Sequence, residues 1–202
     1  MIGVVGTALL SAAAHYGRLL ASVDRRIVVR APATRGGQRT WLAVTGLGSR
    51  SAAYTAVAVA QCLRRGQAAG TGGPARHWPL LALAASDVAR MVLCRAVARP
   101  RPPAENQLAH CKGASFPSRH TALALLATGL ATGSVPAAAG TAAVVGLSRI
   151  ALRVHWPTDV VGGWLFGYGW LAASRIVADT ITYGRGRPWS ADTPRRRPWP
   201  CG

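Results

Sequence analysis

Three short stretches of the sequence combine side chains that could perform chemistry. Each stretch contains arginine, two contain histidine, and one contains a carboxylate. The candidate residues are, in chain order, Arg95, Arg99, Arg101, Ser118, Arg119, His120, Arg149, His155 and Asp159. No acidic cluster accompanies them, and the cysteines lack a paired metal-binding spacing such as CxxC. The sequence therefore predicts chemistry that uses neither a metal nor another cofactor.

These residue types suit phosphoryl transfer. Arginine binds phosphate oxygens through two N–H groups at once and stays charged, so it can neutralise charge that a metal cation often neutralises. Two histidines allow one to attack phosphorus while the other moves protons. His155 and Asp159 are four residues apart, so the carboxylate can hold one ring nitrogen and leave the other free. Residues 118–120 open a predicted helix whose backbone N–H groups can donate to phosphate.

Apolar segments separate these stretches and must position them. They cover residues 2–22, 41–63, 78–98, 121–135, 137–154 and 158–178. Their lengths and hydropathy predict an all-α fold, a multi-pass transmembrane bundle of about six helices. The third segment ends, the fourth begins, the fifth ends and the sixth begins on one face of the membrane. The order of the segments therefore predicts that the three stretches converge at one end of the bundle.

The composition favours a membrane protein over a nucleic-acid binder. Half of the 202 residues are hydrophobic and 15% are charged, yet the formal net charge is +18. The arginines cluster between the apolar segments rather than along one exposed face, so nucleic acid is not an expected partner. We expect residues 1–40 to form a membrane-associated helix and a basic loop, and residues 41–178 to form the membrane core. Residues 179–202 are expected to be a disordered basic tail.

Charged residues lie well inside the second and third predicted segments. Arg50 lies in the second segment, and two interpretations stay open: a functional intramembrane arginine, or a helix that begins later and leaves Arg50 near the interface. Asp87 and Arg90 lie in the third segment with an i, i+3 spacing. They can form an ion pair on one helical face, which would lower the cost of burying both.

Glycine and proline indicate how the helices pack and end. Gly129 and Gly133, and also Gly163 and Gly167, have the GxxxG spacing that favours close helix packing. Pro136 is expected to stop the fourth helix, because proline cannot continue a helix without losing a backbone hydrogen bond.

The three stretches resemble the signature motifs of the type 2 phosphatidic acid phosphatase family, which also includes bacterial undecaprenyl diphosphate phosphatases and vanadium haloperoxidases. The family pattern is KxxxxxxRP, then PSGH, then SRxxxxxHxxxD. Ser148, Arg149, His155 and Asp159 match the third motif in full. The resemblance covers roughly residues 41–178 and includes the order and spacing of the helices.

The second motif is matched with one departure. Pro117, Ser118 and His120 are in place, and Arg119 stands where glycine is usual. An arginine there could add a phosphate contact or narrow the pocket.

The first motif lacks its lysine. Arg101 and the following proline match, but Cys94 stands where the lysine belongs. We expect Arg95 or Arg99 to supply the missing positive charge. Arg90 lies one turn before Cys94, but helical side chains tilt toward the N-terminus of their helix, which here points away from the site.

The resemblance implies a role for each matched position. His155 would be the nucleophile, Asp159 would orient it, and His120 would act as general acid and base. Phosphate would be bound by Arg101, Arg149 and Ser118, helped by the backbone N–H of Arg119.

The expected function is hydrolysis of a phosphate monoester or diphosphate on a lipid, phosphatidate-type or isoprenyl, through a phosphohistidine intermediate. Two alternatives remain open: a phosphotransferase of the same fold, and a catalytically weakened lipid-binding membrane protein. The expected location is the plasma membrane. The distribution of arginine between the loops favours an extracytoplasmic site.

Overall fold

The computed structural model describes Asp24 and residues 35–67 and 77–183. Within these residues the fold is all-α, as predicted, with six α-helices, one short 3-10 helix and no strand. The helices are α1 (Arg35–Gly46), α2 (Arg50–Gln67), α3 (Trp78–Val97), α4 (Arg119–Thr132), α5 (Val135–Ala151) and α6 (Pro157–Tyr183). The 3-10 helix Ala104–Asn106 lies in the loop between α3 and α4.

Helix α4 forms the centre of the bundle. It packs against α2, α3, α5 and α6. Residues 121–127 are buried without interruption, so α4 presents no polar face to the outside. A helix that is apolar all round is stable only where other helices surround it. The core around α4 includes Leu83 of α3, Ala142 of α5 and Leu171 of α6.

The outer faces of the bundle also carry large apolar side chains. The most exposed include Leu63, Val88, Val92, Leu165 and Ile176. Within residues 35–67 and 77–183, no helix is both long enough and apolar enough to cross a membrane.

The second predicted segment is two helices rather than one. The chain turns at residues 47–49 between α1 and α2, and the Ser49 hydroxyl accepts from the Ala52 N–H at 3.2 Å, which caps α2. Arg50 is therefore the first residue of α2, and its side chain is 53% exposed. The later helix start is confirmed, because Arg50 is the first residue of α2 and not an interior residue of a longer helix.

The remaining helices begin and end within a few residues of their predicted limits. One of them, α4, ends for a different reason from the one predicted. Helix α4 ends because Gly133 adopts a left-handed conformation with φ 73°. Pro136 does not stop α4. It lies in the first turn of α5, where its missing N–H costs no helical hydrogen bond, and Ser134 caps that helix.

Two glycines of α6 allow it to lie directly against α4. A Cβ atom on Gly163 would stand 2.5 Å from the Ser118 carbonyl oxygen, and one on Gly167 would stand 2.8 Å from that of Ala122. The predicted packing role of this pair is confirmed. Gly133 has open space around it and serves as the end of α4, so the prediction for the Gly129 and Gly133 pair is wrong at Gly133.

The outer parts of the chain agree only partly with the predicted domains. Helix α6 continues to Tyr183, five residues beyond the predicted core. The predicted helix at residues 2–22 and the rest of the predicted tail, residues 184–202, lie outside the described residues.

We expect Gly163→Ala to destabilise the protein by about 1–3 kcal/mol, because the added methyl group overlaps backbone that cannot rotate away. Thermal unfolding in detergent measures this. Gly169→Ala is the matched control, since it lies on the same helix with nothing within 4 Å of a Cβ atom. Equal unfolding temperatures for the two variants would contradict the packing described here.

Candidate active site

A cavity of about 780 Å³ lies at the end of the bundle where the three stretches meet. Six of the nine predicted site residues line it, namely Arg95, Arg101, Arg119, His120, Arg149 and His155. Residues 108–114 of the loop between α3 and α4 close one side of the cavity, and Leu42 of α1 and Met91 of α3 contribute apolar surface. Asp159, Ser118 and Arg99 are buried behind the wall.

His155 is held between a carboxylate and a guanidinium group. It lies in the tight connection from α5 to α6 and is 4% exposed. Its Nδ1 faces Asp159 Oδ2 at 3.4 Å, and its Nε2 faces Arg101 Nη1 at 3.1 Å. A carboxylate can only accept a hydrogen bond, so the contact with Asp159 favours a proton on Nδ1. A guanidinium group can only donate, so the contact with Arg101 favours a lone pair on Nε2.

Asp159 is fixed from several directions in the first turn of α6. Its Oδ2 accepts from the Trp156 backbone N–H at 2.9 Å, and its Oδ1 accepts from Arg99 Nη1 at 2.6 Å. The side chain has no exposure. A buried carboxylate requires a compensating charge, which Arg99 provides.

Arg99 serves two carboxylates and does not reach the cavity. Its guanidinium also forms a salt bridge with Asp24, and Asp24 in turn accepts from the Thr158 backbone N–H at 3.0 Å and hydroxyl at 2.6 Å. The side chain of Arg99 is 2% exposed. The expectation that Arg99 replaces the motif lysine as a phosphate ligand is therefore corrected, because its charge is already used inside the protein.

Ser118, which is predicted to bind phosphate, is not among the residues that line the cavity. It is fully buried, and its hydroxyl accepts from Thr121 Oγ1 at 3.0 Å. Its backbone N–H donates to the Asp159 carbonyl oxygen at 3.0 Å. Ser118 therefore joins the start of α4 to the start of α6, and so places the two following residues at the cavity.

Arg101 and Arg149 hold the inner wall of the cavity. Arg101 donates to the carbonyl oxygens of Val154 at 2.7 Å and Ala114 at 3.2 Å, in addition to facing His155. Arg149 donates to Thr45 Oγ1 at 2.9 Å and to Cys111 Sγ at 3.0 Å. These contacts fix both guanidinium groups in place before any ligand arrives.

The wall formed by α3 differs from the prediction. Cys94 lines the cavity, and its thiol donates to the Ala114 carbonyl oxygen at 3.5 Å. Arg90 lines the cavity as well, although its position on α3 predicted that it would point away. The tilt of a helical side chain fixes only the direction of Cβ, whereas the three methylene groups of arginine give the guanidinium a long reach.

The predicted ion pair on α3 is present and has a third member. Arg90 Nε lies 3.7 Å from Asp87 Oδ1, and Arg50 Nε lies 2.5 Å from Asp87 Oδ2. Arg50 begins α2, so this carboxylate joins α2 to α3 next to the cavity.

The surroundings keep both cavity histidines neutral at neutral pH. Burial, together with the positive charges of Arg149 and Arg119, lowers the pKa of His120 to about 3. Burial also lowers the pKa of His155 to about 4, although Asp159 opposes this shift. A neutral His155 has a free lone pair for attack. His120 would need the charge of a bound anion to offset the arginines before it could hold a proton.

Sequence reasoning missed Asp24, Thr45 and Cys111. Asp24 lies in the segment that was predicted to be a basic loop. The chain has only six acidic residues, and an isolated carboxylate in a basic segment was the signal that could have identified it. Thr45 and Cys111 matter only through Arg149, and no local pattern indicates that contact. Among the described residues, no three His, Cys, Asp or Glu side chains are grouped so that they could hold a metal ion.

Comparisons with known proteins agree on one family. The sequence model of the PAP2 superfamily matches residues 77–183, just over half of the chain. The fold is similar to the crystal structure of the first transmembrane PAP2 type phosphatidylglycerolphosphate phosphatase from Bacillus subtilis, with a TM-score of 0.65 and 20% identity. That match covers 92% of this chain and 89% of the other. No curated protein sequence matches the chain significantly.

We expect Arg99→Met to destabilise the protein by about 3–5 kcal/mol, because it leaves Asp24 and Asp159 buried without a compensating charge. Adding Asp24→Asn should recover part of this loss, since it removes one of the two unpaired charges. Chemical denaturation of the single and double variants measures the difference. A double variant that is less stable than Arg99→Met would refute the shared role of Arg99.

The lowered pKa of His155 predicts a loss of stability in acid. The unfolded chain takes up this proton near pH 6.5, whereas the folded protein takes it up near pH 4. The contribution is therefore fully present above pH 6.5, decreases as the pH falls toward 4, and amounts to about 3 kcal/mol. In His155→Gln this part of the pH dependence should disappear from the unfolding curves. If the free energy of unfolding depended on pH in the same way in the variant and in the original protein, the lowered pKa of His155 would be contradicted.

Proposed function

Because the chain belongs to the PAP2 superfamily, we propose that it is a phosphatase that hydrolyses a lipid phosphate monoester or diphosphate through a phosphohistidine at His155. The observation that carries this proposal is the position of His155, with its Nδ1 toward Asp159 and its Nε2 toward Arg101 at the cavity. This arrangement presents a neutral nitrogen nucleophile beside a cation that binds phosphate oxygens.

Substrate binding would uncover the nucleophile. In the structure an Arg101 N–H group points at Nε2 of His155. A phosphate oxygen is a stronger acceptor for guanidinium than an imidazole nitrogen, so an arriving phosphoryl group draws the Arg101 N–H to itself. The lone pair of Nε2 is then directed at phosphorus.

In the first chemical step, the Nε2–phosphorus bond forms while the bond from phosphorus to the leaving oxygen breaks. The imidazole of His155 becomes positively charged, and the buried carboxylate of Asp159 stabilises that charge. Arg101 and Arg149 offset the negative charge of the equatorial oxygens. His120 donates its proton to the leaving oxygen.

In the second step, water attacks the phosphorus of the phosphohistidine. His120, now neutral, accepts a proton from this water. The phosphorus–nitrogen bond breaks, orthophosphate leaves, and neutral His155 returns. The substrate's negative charge raises the proton affinity of His120 in the first step, since it offsets the arginines that otherwise lower its pKa to about 3.

The lipid nature of the substrate is supported by the surface of the bundle. Large apolar side chains such as Val88 and Val92 on α3 and Leu165 on α6 are more than half exposed, which is typical of a surface that meets lipid or another protein. We propose that these faces contact the bilayer of the plasma membrane and that the cavity lies at headgroup level on the extracytoplasmic side. The structurally similar protein is named as a transmembrane phosphatidylglycerolphosphate phosphatase.

We expect His155→Ala to lower phosphate release from lipid phosphates by roughly a thousandfold or more, as loss of a catalytic nucleophile commonly does. The assay measures orthophosphate released by purified protein in detergent, and Arg153→Gln, a site outside the cavity lining, is the control. Vanadate should inhibit the original protein, and a base-stable, acid-labile phosphoryl group should be trapped on it during turnover. Near-normal turnover by His155→Ala would refute the mechanism.

A further inference from the structure

A second group of arginines borders the cavity and takes no part in the chemistry above. Arg90 of α3 and Arg119 of α4 both line the cavity, and Arg50 lies beside them at the start of α2. Asp87 is the carboxylate that this group shares, and it contacts Arg50 at 2.5 Å and Arg90 at 3.7 Å. Three positive charges therefore face one negative charge, which leaves a local excess of two.

Two of these guanidinium groups have hydrogen-bonding capacity to spare. Within the described residues, no group accepts a hydrogen bond from the buried Nε atom of Arg90 or of Arg119. A buried, charged donor without an acceptor is costly, and the cost is removed when an acceptor arrives. Arg50 differs, because its Nε already donates to Asp87.

The charges around Arg119 also favour an anion. Burial, followed by the positive charges of Arg50 and Arg90, lowers the pKa of Arg119. Mutual repulsion of this kind is relieved by a ligand that brings negative charge between the guanidinium groups. Phosphate provides both the charge and several acceptor oxygens.

Arg90 is offset from the catalytic wall along α3. Arg90 precedes the end of α3 at Val97 by seven residues, a rise of about 10 Å along the helix, and Arg101 lies beyond that end. Arg119 directly precedes His120, so it stands between the two parts of the cavity. A ligand that pairs with the guanidinium groups of both parts at once carries two anionic groups.

We propose that Arg90 and Arg119 form a second anion-binding subsite, which holds a second phosphate group of the substrate while the first is transferred to His155. Asp87 positions Arg90 within this subsite. The inference rests on the proposed phosphatase function and narrows its substrate class to lipids whose headgroup contains two phosphates. The second phosphate is either bonded directly to the first, as in an isoprenyl diphosphate, or separated from it by glycerol, as in a phosphatidylglycerol phosphate.

The test compares substrates that differ only in the second phosphate. One pair is farnesyl diphosphate and farnesyl monophosphate, and the other is phosphatidylglycerol phosphate and phosphatidate with the same acyl chains. In Arg119→Gln, the increase in KM should be larger for the two-phosphate member of a pair than for its one-phosphate partner. In Arg90→Gln, we expect KM to rise at least tenfold for the two-phosphate member of one pair. The KM for its one-phosphate partner, and kcat for both, should change less than threefold. The pair that shows the difference identifies the spacing of the two phosphates.

Arg153→Gln is the matched control, because it removes the same charge at the same end of the bundle but outside the cavity lining. Asp87→Asn should give a smaller KM increase than Arg90→Gln, with the same substrate dependence. Equal KM effects on both members of each pair would overturn the proposal, since the two arginines would then act on the transferred phosphate. Unchanged KM values throughout would overturn it as well.

A binding measurement separates failure of this proposal from failure of the proposed function. Pyrophosphate and orthophosphate serve as probes, and each is titrated against thermal unfolding of the full chain and of His155→Gln. We expect pyrophosphate to stabilise both proteins more than orthophosphate does, and Arg90→Gln to remove the difference. Absence of that difference in the original protein refutes a second subsite at the spacing of directly bonded phosphates, whether or not the protein releases phosphate from lipids. The pair of phosphatidylglycerol phosphate and phosphatidate decides the longer spacing.

Discussion

The interaction on which the site depends is the pairing of a fully buried carboxylate, Asp159, with the buried guanidinium of Arg99. Neither group is stable alone in an apolar bundle, because an uncompensated buried charge costs several kcal/mol. Their pairing ties the end of α3 to the start of α6, and Asp24 joins the same network from the N-terminal part of the chain. His155 receives its orientation from this network through Asp159, so an ionic cluster fixes the ring of the proposed nucleophile.

Close packing of helices completes the positioning. Glycines on α6 let its backbone approach the start of α4, where the Ser118 N–H reaches the Asp159 carbonyl oxygen. The residues that follow, Arg119 and His120, are thereby brought to the cavity next to His155. A larger side chain at Gly163 would move the whole first turn of α4. Gly163 therefore controls the positions of Arg119 and His120, although it has no side chain of its own.

The sequence predicted what depends on short spacing and failed where tertiary contacts decide. The pairing of His155 with Asp159 follows from one helical turn, and the convergence of the loops follows from the order of the helices. The partners of the arginines could not be predicted in the same way, because a long, flexible side chain has several possible anions within reach. Arg99 pairs with Asp24, which is 75 residues away in the chain. Arg90 lines the cavity despite its position on α3. The break between α1 and α2 was missed although Gly46, Gly48 and Ser49 mark it, because the segment was judged on the apolar character of its whole length.

The contact between Arg101 and Nε2 of His155 has a consequence for chemical selectivity. A buried neutral imidazole is a good nucleophile toward many electrophiles, including acyl groups and alkylating agents. In the resting protein its lone pair is covered by a guanidinium that is itself held by backbone carbonyl oxygens. A neutral electrophile offers nothing that draws the guanidinium aside, whereas an anionic one does. In the proposed mechanism, Arg101 therefore has two effects. It binds the substrate, and it protects His155 from irreversible modification until an anionic molecule arrives.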